Sequence, residues 1–244
     1  MNPADPRDRL IYFIHIQKTS GTSIRGYFQQ AFGRTRCLWH APKLVTENKG
    51  NVFNIAKTDP ARFDACRVIG GHIGWRRIPR VILDRSPIFV SAIRDPVARV
   101  VSHYQHIRSD AGHVLHQEIA GMSLFDAIRR PGFAAVSDRM QIEDLCGGKD
   151  LDRFLDVARA NSFIIGKQER IEAFLLKLST VFDLPLFLDI RQNVSTPGYQ
   201  ADIEAQPGYE AAVSHIAQMN QEEYSFYNSF ADVWSNVGDA DRAV

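Results

Sequence analysis

Residues 10–33 read LIYFIHIQKTSGTSIRGYFQQAFG, and this stretch decides the fold. Leu10 to Ile16 is a run of β-branched and aromatic residues, which reads as a strand buried on both faces. Ile24, Tyr27, Phe28, Ala31 and Phe32 then recur at helical spacing, with Gly33 where a C-terminal cap belongs. Between the two lies a small polar loop, Gln17-Lys18-Thr19-Ser20-Gly21-Thr22-Ser23. Strand, loop and helix in this order start a parallel α/β sheet, whose ligands bind at the carboxyl ends of the strands.

Working outward, Arg67 to Gly71 reads as a short strand running into Gly70-Gly71-His72-Ile73-Gly74-Trp75. Ile88 to Ile93 is a third strand that meets Arg94-Asp95-Pro96. Pro96 fits the first turn of a helix with Val97, Val100, Val101 and Tyr104 on one face, and Asp95 suits its N-cap. Residues 34–66, broken by Pro42 and Pro60, give no firm assignment. From Ser123 the pattern is mainly helical over 124–129, 140–145, 151–158 and 171–182, with Phe163 to Gly166 as a fourth strand. Residues 191–208 are polar and irregular, and 209–237 return to helical spacing, with Tyr224, Tyr227, Phe230 and Trp234 as a core-packing stripe. A single α/β domain over residues 1–244 with a helix-rich C-terminal half is the expectation.

With 29 basic and 28 acidic residues the formal charge is +1, so no bulk field draws the chain to nucleic acid or anionic lipid. An anionic ligand would need a local site. The three cysteines, Cys37, Cys66 and Cys146, are far apart and form no C-x-x-C pair, which suits a reducing compartment better than a disulfide framework or a zinc site. No apolar run reaches the roughly 18 residues of a membrane span, and the N-terminal residues lack an apolar leader core. The expectation is a complete, cytoplasmic chain.

The loop after the first strand invites comparison with the Walker A pattern, in which backbone N–H groups wrap a phosphate at a helix N-terminus. Lys18 precedes Gly21 here, whereas the Walker lysine follows its second glycine, so an ordinary ATPase loop is disfavoured. A lysine, several hydroxyls and a glycine can still hold a phosphate through backbone amides, Lys18, Thr19, Thr22 and Ser23. The same residues also suit a plain N-cap beside a solvated lysine. Arg94 at a strand end and Ser102 about two turns into the next helix could grip a second phosphate, or be a local ion pair and a surface hydroxyl.

At this point the motifs carry a resemblance. Phe13-Ile14-His15-Ile16-Gln17-Lys18-Thr19-Ser20-Gly21-Thr22-Ser23 resembles the 5′-phosphosulfate loop of the carbohydrate sulfotransferases, whose usual text is close to H-I-P-K-T-G-G-T-S. Gln17 and Ser20 depart from it, standing where proline and glycine are common. Arg94 to Tyr104 resembles the same family's 3′-phosphate motif, R-[DE]-P-[VL]-x-R-x-x-S-x-[YWF], and Phe163 to Phe174 is similar to a later strand and helix. Gly71-His72-Ile73-Gly74-Trp75 resembles the G-H-x-x-[YWF] segment of the heparan 2-O- and 6-O-type enzymes.

The resemblance implies a three-layer fold like that of the P-loop nucleotide hydrolases. It also implies the donor 3′-phosphoadenosine 5′-phosphosulfate, with adenosine 3′,5′-bisphosphate as product and no metal. Lys18, Thr19, Ser20, Gly21, Thr22 and Ser23 would hold the 5′-phosphosulfate, and Arg94 and Ser102 the 3′-phosphate. Asn193 and Ser195 match a loop that closes near the nucleotide. His72 would be the catalytic base, with Lys18 stabilising the leaving phosphate, and the acceptor would be a hydroxyl on a saccharide. A structural histidine at a strand end remains the other reading of His72. Elsewhere, His103-x-x-His106 and His113-x-x-His116 have a spacing seen in some metal sites, but solvated or hydrogen-bonded histidines fit better. Arg99 and Arg108 read as helix-surface charges. Two other functions stay open: a nucleotide-dependent phosphotransferase, and a noncatalytic nucleotide- or glycan-binding module.

Overall fold

In the computed structural model, which describes residues 5–40, 60–189 and 199–237, the apolar run after Arg9 forms β1 (Ile11–Ile14), buried at every position. The other strands among the described residues are β2 (Cys37–His40), β3 (Val68–Gly71), β4 (Ile88–Ile93), β5 (Ser162–Lys167) and β6 (Val233–Ser235). They lie in the order β2-β3-β1-β4-β5-β6. The first five run parallel, and β6 pairs antiparallel with β5.

Side chains alternate along a strand, so each face of the sheet has its own core. Tyr12, Ile14, Leu38, Ile69, Phe89, Ile93, Phe163 and Ile165 face one side and Ile11, Phe13, Val68, Val90, Ala92 and Ile164 the other. Full burial on both faces explains why these strands read as continuous apolar runs; each buried Ile or Phe stabilises by roughly 1.5–3 kcal/mol.

Helices α1 (Gly21–Phe32), α2 (Pro60–Asp64), α3 (Arg80–Leu83) and α4 (Pro96–Ser109) belong to the N-terminal half. The C-terminal half adds α5 (His116–Ile119), α6 (Leu124–Ala127), α7 (Pro131–Ala135), α8 (Met140–Cys146) and α9 (Leu151–Ala160). After β5 come α10 (Ile171–Phe182), α11 (Tyr199–Glu204), α12 (Tyr209–Met219) and α13 (Gln221–Asn228). Helices α8, α9 and α13 cover the first face through Ile142, Leu145, Phe154 and Phe226. Helices α1 and α10 cover the second through Ile24, Tyr27, Phe28, Phe174 and Leu178. The result is a three-layer, P-loop-like α/β arrangement. A third cluster lies off the sheet, where Val100, Tyr104 and Ile107 of α4 meet Leu124, Phe133, Ala212 and Ile216.

The structure departs from the sequence reading in several places, among them 191–208, where α11 forms inside the stretch read as irregular. The unassigned region 34–66 contributes the edge strand β2, whose apolar run is only Cys37-Leu38-Trp39, directly after Arg34-Thr35-Arg36. The sheet is not wholly parallel, because residues 209–237 do not form one helical segment. They break at buried Asn220, whose side chain donates to the Ile216 carbonyl at 2.8 Å and accepts from Arg139 N at 2.8 Å, and they end in β6. Trp234 consequently sits on a strand, where its ring packs 5.4 Å from Phe154.

Tyr227, Phe230 and Trp234 of the aromatic stripe pack against the core, as read from sequence. Two hydroxyls of the stripe also make polar contacts, Tyr224 with Asp95 at 3.3 Å and Tyr227 with Glu169 at 3.1 Å.

Candidate functional site

The sheet order sets the site, because β3, β1 and β4 are neighbours and end beside one another. Their C-terminal exits carry His72, the loop holding Lys18, and Arg94 respectively.

The loop after β1 is folded by local rules. Lys18 at φ 68° and Ser20 at φ 63° both adopt the left-handed conformation. The Thr19 hydroxyl is buried and donates to the Ile16 carbonyl at 2.9 Å, which leaves only the backbone of Thr19 to face a ligand. Helix α1 then starts at Gly21, with Ser23 N and Ile24 N both donating to the Ser20 carbonyl. Two left-handed residues at a helix N-terminus give the kind of concavity that seats an anion, and the helix dipole favours the same sign. Ser20 makes no side-chain cap hydrogen bond. Gly21 has no substitute, since a Cβ there would overlap the His15 ring.

His15 is the hinge between this loop and His72. The two imidazoles stack with centroids 3.9 Å apart and planes 30° apart, and His72 Nδ1 lies 2.9 Å from the His15 carbonyl oxygen. A carbonyl only accepts, so Nδ1 carries the proton and Nε2 holds the lone pair. Burial lowers the pKa of His72, the His15 carbonyl partly opposes that, and Arg25 and His106 lower it further. The pKa of His15 is pushed well below its ordinary value, first by burial and then by His72, Arg25 and Lys18. Both rings are therefore neutral near pH 7, and Nε2 of His72 can accept a proton.

Lys18 and Arg94 are both half-buried cations. The pKa of Lys18 is lowered first by burial and then by Arg94, which places the two cations within each other's field. Arg94 is likewise lowered by burial, with Glu169 and Asp95 opposing. Among the described residues neither has a carboxylate within ion-pair distance. Two mutually repelling, partly desolvated cations at adjacent strand ends fit an anionic ligand.

Beyond Arg94, Asp95 caps α4 by accepting from Ala98 N at 2.8 Å, and Pro96 opens the helix. Ser102 is half-buried on α4. Thr22 and Ser23 lie in the first turn of α1. Asn193 and Ser195 lie outside the described residues.

Several groups near this cleft escaped the sequence reading. Arg99 is no surface charge: it is completely buried, donating to the Ser137 carbonyl at 3.2 Å while its Nε has no partner among the described residues. The signal was present, because Pro96, Arg99, Val100, His103, Tyr104 and Ile107 share the buried face of α4. Arg108 is also held, donating to the Ala120 carbonyl at 3.1 Å and lying over the Tyr104 ring. His103 and His106 each lie 5.8 Å from the His113 ring, and the field of Lys18 reaches both His103 and His106. His116 instead bonds the Ile107 carbonyl at 2.8 Å. Among the described residues no group of three His, Cys, Asp or Glu side chains has the arrangement of a metal site.

A carboxyl also underlies the His72 loop. A Cβ on Gly74 would collide with Asp144, whose pKa is raised to about 6 by burial against the pull of Arg77 and Arg99.

No family model matches the chain, and no curated protein matches it. Among solved structures, the crystal structure of mouse sulfotransferase SULT7A1 complexed with PAP is similar at 13% identity, with a TM-score of 0.41. The alignment covers 91% of this chain and 66% of that one, so this chain spans under two thirds of its length. A likeness of that size does not bear on activity. Among the described residues no helix is long and apolar enough to cross a membrane.

Proposed function

We propose that this chain is a sulfotransferase that moves a sulfuryl group from 3′-phosphoadenosine 5′-phosphosulfate to a hydroxyl of a saccharide acceptor. One observation carries the reading: neighbouring strands β3, β1 and β4 deliver a neutral histidine, a lysine in an anion-seating loop and an arginine, with no carboxylate paired to either cation among the described residues. The donor, when bound, supplies the sulfuryl group and a phosphate that leaves with the electron pair of the broken S–O bond.

His72 Nε2 takes the acceptor's proton as the new O–S bond forms. Lys18 and the loop amides of residues 19–21 hold the charge that gathers on the leaving phosphate. Arg94 and Ser102 grip the 3′-phosphate and fix the register of the nucleotide. Because the leaving phosphate is stabilised by these cations, no step calls on a divalent ion, and turnover should persist in excess chelator.

The saccharide acceptor is supported by the Gly71-His72-Ile73-Gly74-Trp75 resemblance. Trp75 itself is partly buried, its ring packing 5.0 Å from Phe89. A cytoplasmic location fits three buried cysteines with no disulfide joining them among the described residues.

Calorimetric titration with adenosine 3′,5′-bisphosphate, set against ATP with magnesium, tests the reading. Tight binding of the first and none of the second is expected. The reverse result would make the chain a phosphotransferase, and binding without transfer to any acceptor would make it a noncatalytic module.

A further inference from the structure

We propose that Gln141, locked in place by Glu223, is a positioning residue that aims Arg94 at the 3′-phosphate; this rests on the sulfotransferase reading above. Arg94 is the first residue past β4, whose last ladder pair is Ile93 with Lys167. Its backbone N–H and C=O leave the sheet in a part-buried position where unpaired polar groups are costly. A single side-chain amide satisfies both. Gln141 Oε1 accepts from Arg94 N at 2.8 Å, and Gln141 Nε2 donates to the Arg94 carbonyl at 3.0 Å.

The orientation of that amide is fixed from behind. Gln141 Nε2 also donates to Glu223 Oε1 at 2.7 Å, and Glu223 Oε2 accepts from Gln141 N at 2.7 Å. A carboxylate can only accept, so Glu223 dictates that the amide nitrogen faces it and that the amide oxygen faces Arg94 N. Gln141 and Glu223 are each 1% exposed, so solvent cannot compete for these bonds. Helix α13 reinforces the clamp at the next residue, where the Tyr224 hydroxyl meets Asp95. Glu169 accepts from Asp95 N at 3.2 Å.

The consequence falls on the Arg94 side chain. With no carboxylate among the described residues within ion-pair distance to aim it, its direction is set by the backbone that Gln141 holds. The loop around Lys18 is bonded independently through Ile16 and Ser20, so a loosened Arg94 should leave the 5′ end of the site intact.

The test compares adenosine 3′,5′-bisphosphate with adenosine 5′-phosphate, which lacks only the 3′-phosphate, by calorimetry on the full chain. In Gln141→Met, affinity for the bisphosphate should fall about 10- to 100-fold while that for the monophosphate changes less than about 3-fold. Glu223→Gln, which frees the amide to turn over, should show the same selective loss to a smaller degree. Equal losses for both ligands, or no loss in either variant, would overturn the proposal, as would failure of both variants to fold, since that is the mark of a structural residue. A wild-type chain that does not prefer the bisphosphate would instead remove the donor assignment itself, and the proposal with it.

Discussion

His103 makes the protein acid-sensitive by an amount that can be worked out. The ring is 2% exposed on α4, and among the described residues neither Nδ1 nor Nε2 has a hydrogen-bond partner. Burial, with Arg99, His113, His106 and Lys18 around it, lowers its pKa from 6.5 to about 2. The folded state therefore keeps the ring neutral at pH 5, whereas the unfolded chain protonates it below pH 6.5. A depressed folded pKa means no penalty above 6.5 and a growing one as pH falls toward the folded value. At about 1.4 kcal/mol per pH unit, the 1.5 units between 6.5 and 5 amount to about 2 kcal/mol from this residue.

Urea unfolding of wild type and His103→Leu at pH 7.5 and 5.0 measures the difference. The variant should lose about 2 kcal/mol less than wild type on acidification. Because it also removes two orphaned polar atoms, its stability at pH 7.5 should lie within about 1 kcal/mol of wild type. An unchanged pH dependence in the variant would mean the buried ring is not held neutral, and the reasoning would be wrong.

His72→Ala should reduce sulfuryl transfer at least about 100-fold with little change in adenosine 3′,5′-bisphosphate affinity, and undiminished turnover would take His72 out of the base role. Since burial lowers the pKa of His72 and its neutral form is the base, wild-type kcat/KM should rise through a pKa below 6.5 and level off above it. A limb centred above 7 would contradict that. Ser20→Gly removes a left-handed strain at φ 63° and no cap bond, so it should stabilise by about 1 kcal/mol and raise Tm by roughly 2–4 °C. A lower melting point in that scan would show that Ser20 makes a contact worth more than the strain. Gly21→Ala forces the loop away from His15 and should weaken adenosine 5′-phosphate binding and turnover together; normal binding would show that the His15 ring gives way instead.

How much of this was legible in the sequence follows from the physics of each element. Strands β1, β3, β4 and β5 were readable because both faces are buried, so nearly every residue is apolar. The range of β4 matches the reading to the residue and α10 begins where it was read and ends about there, since Pro87 and Arg94 bound the first and Leu184-Pro185 follows the second. Edge strands β2 and β6 were not readable: β2 offers only Cys37-Leu38-Trp39 as an apolar run between Arg36 and His40, and β6 has three half-buried residues in a stretch with helical spacing upstream. At the candidate site, Lys18 and Arg94 stood out because each follows a strand readable in the sequence, and His72 through the resemblance of Gly71–Trp75 to a family segment. His15, Arg99, Gln141 and Glu223 did not, because their roles come from partners 38 to 82 residues away in the chain, as the pairs Arg99–Ser137, Gln141–Arg94, His15–His72 and Gln141–Glu223 show. No local pattern encodes such a partner.

The order β3-β1-β4 has a directional meaning. Parallel strands sit about 4.8 Å apart, so the exits bearing His72 and Arg94 are separated by roughly 10 Å with the Lys18 loop midway. On the proposed assignment the nucleotide would lie across the strand ends, its adenosine end toward β4 and its reactive end toward β3. The backbone ladder would then act as a ruler between the group that anchors and the group that reacts, with the nucleotide's seat toward β4 and the acceptor's toward β2. Changes confined to the β2 side could then retune which alcohol is chosen while leaving the nucleotide's seat untouched.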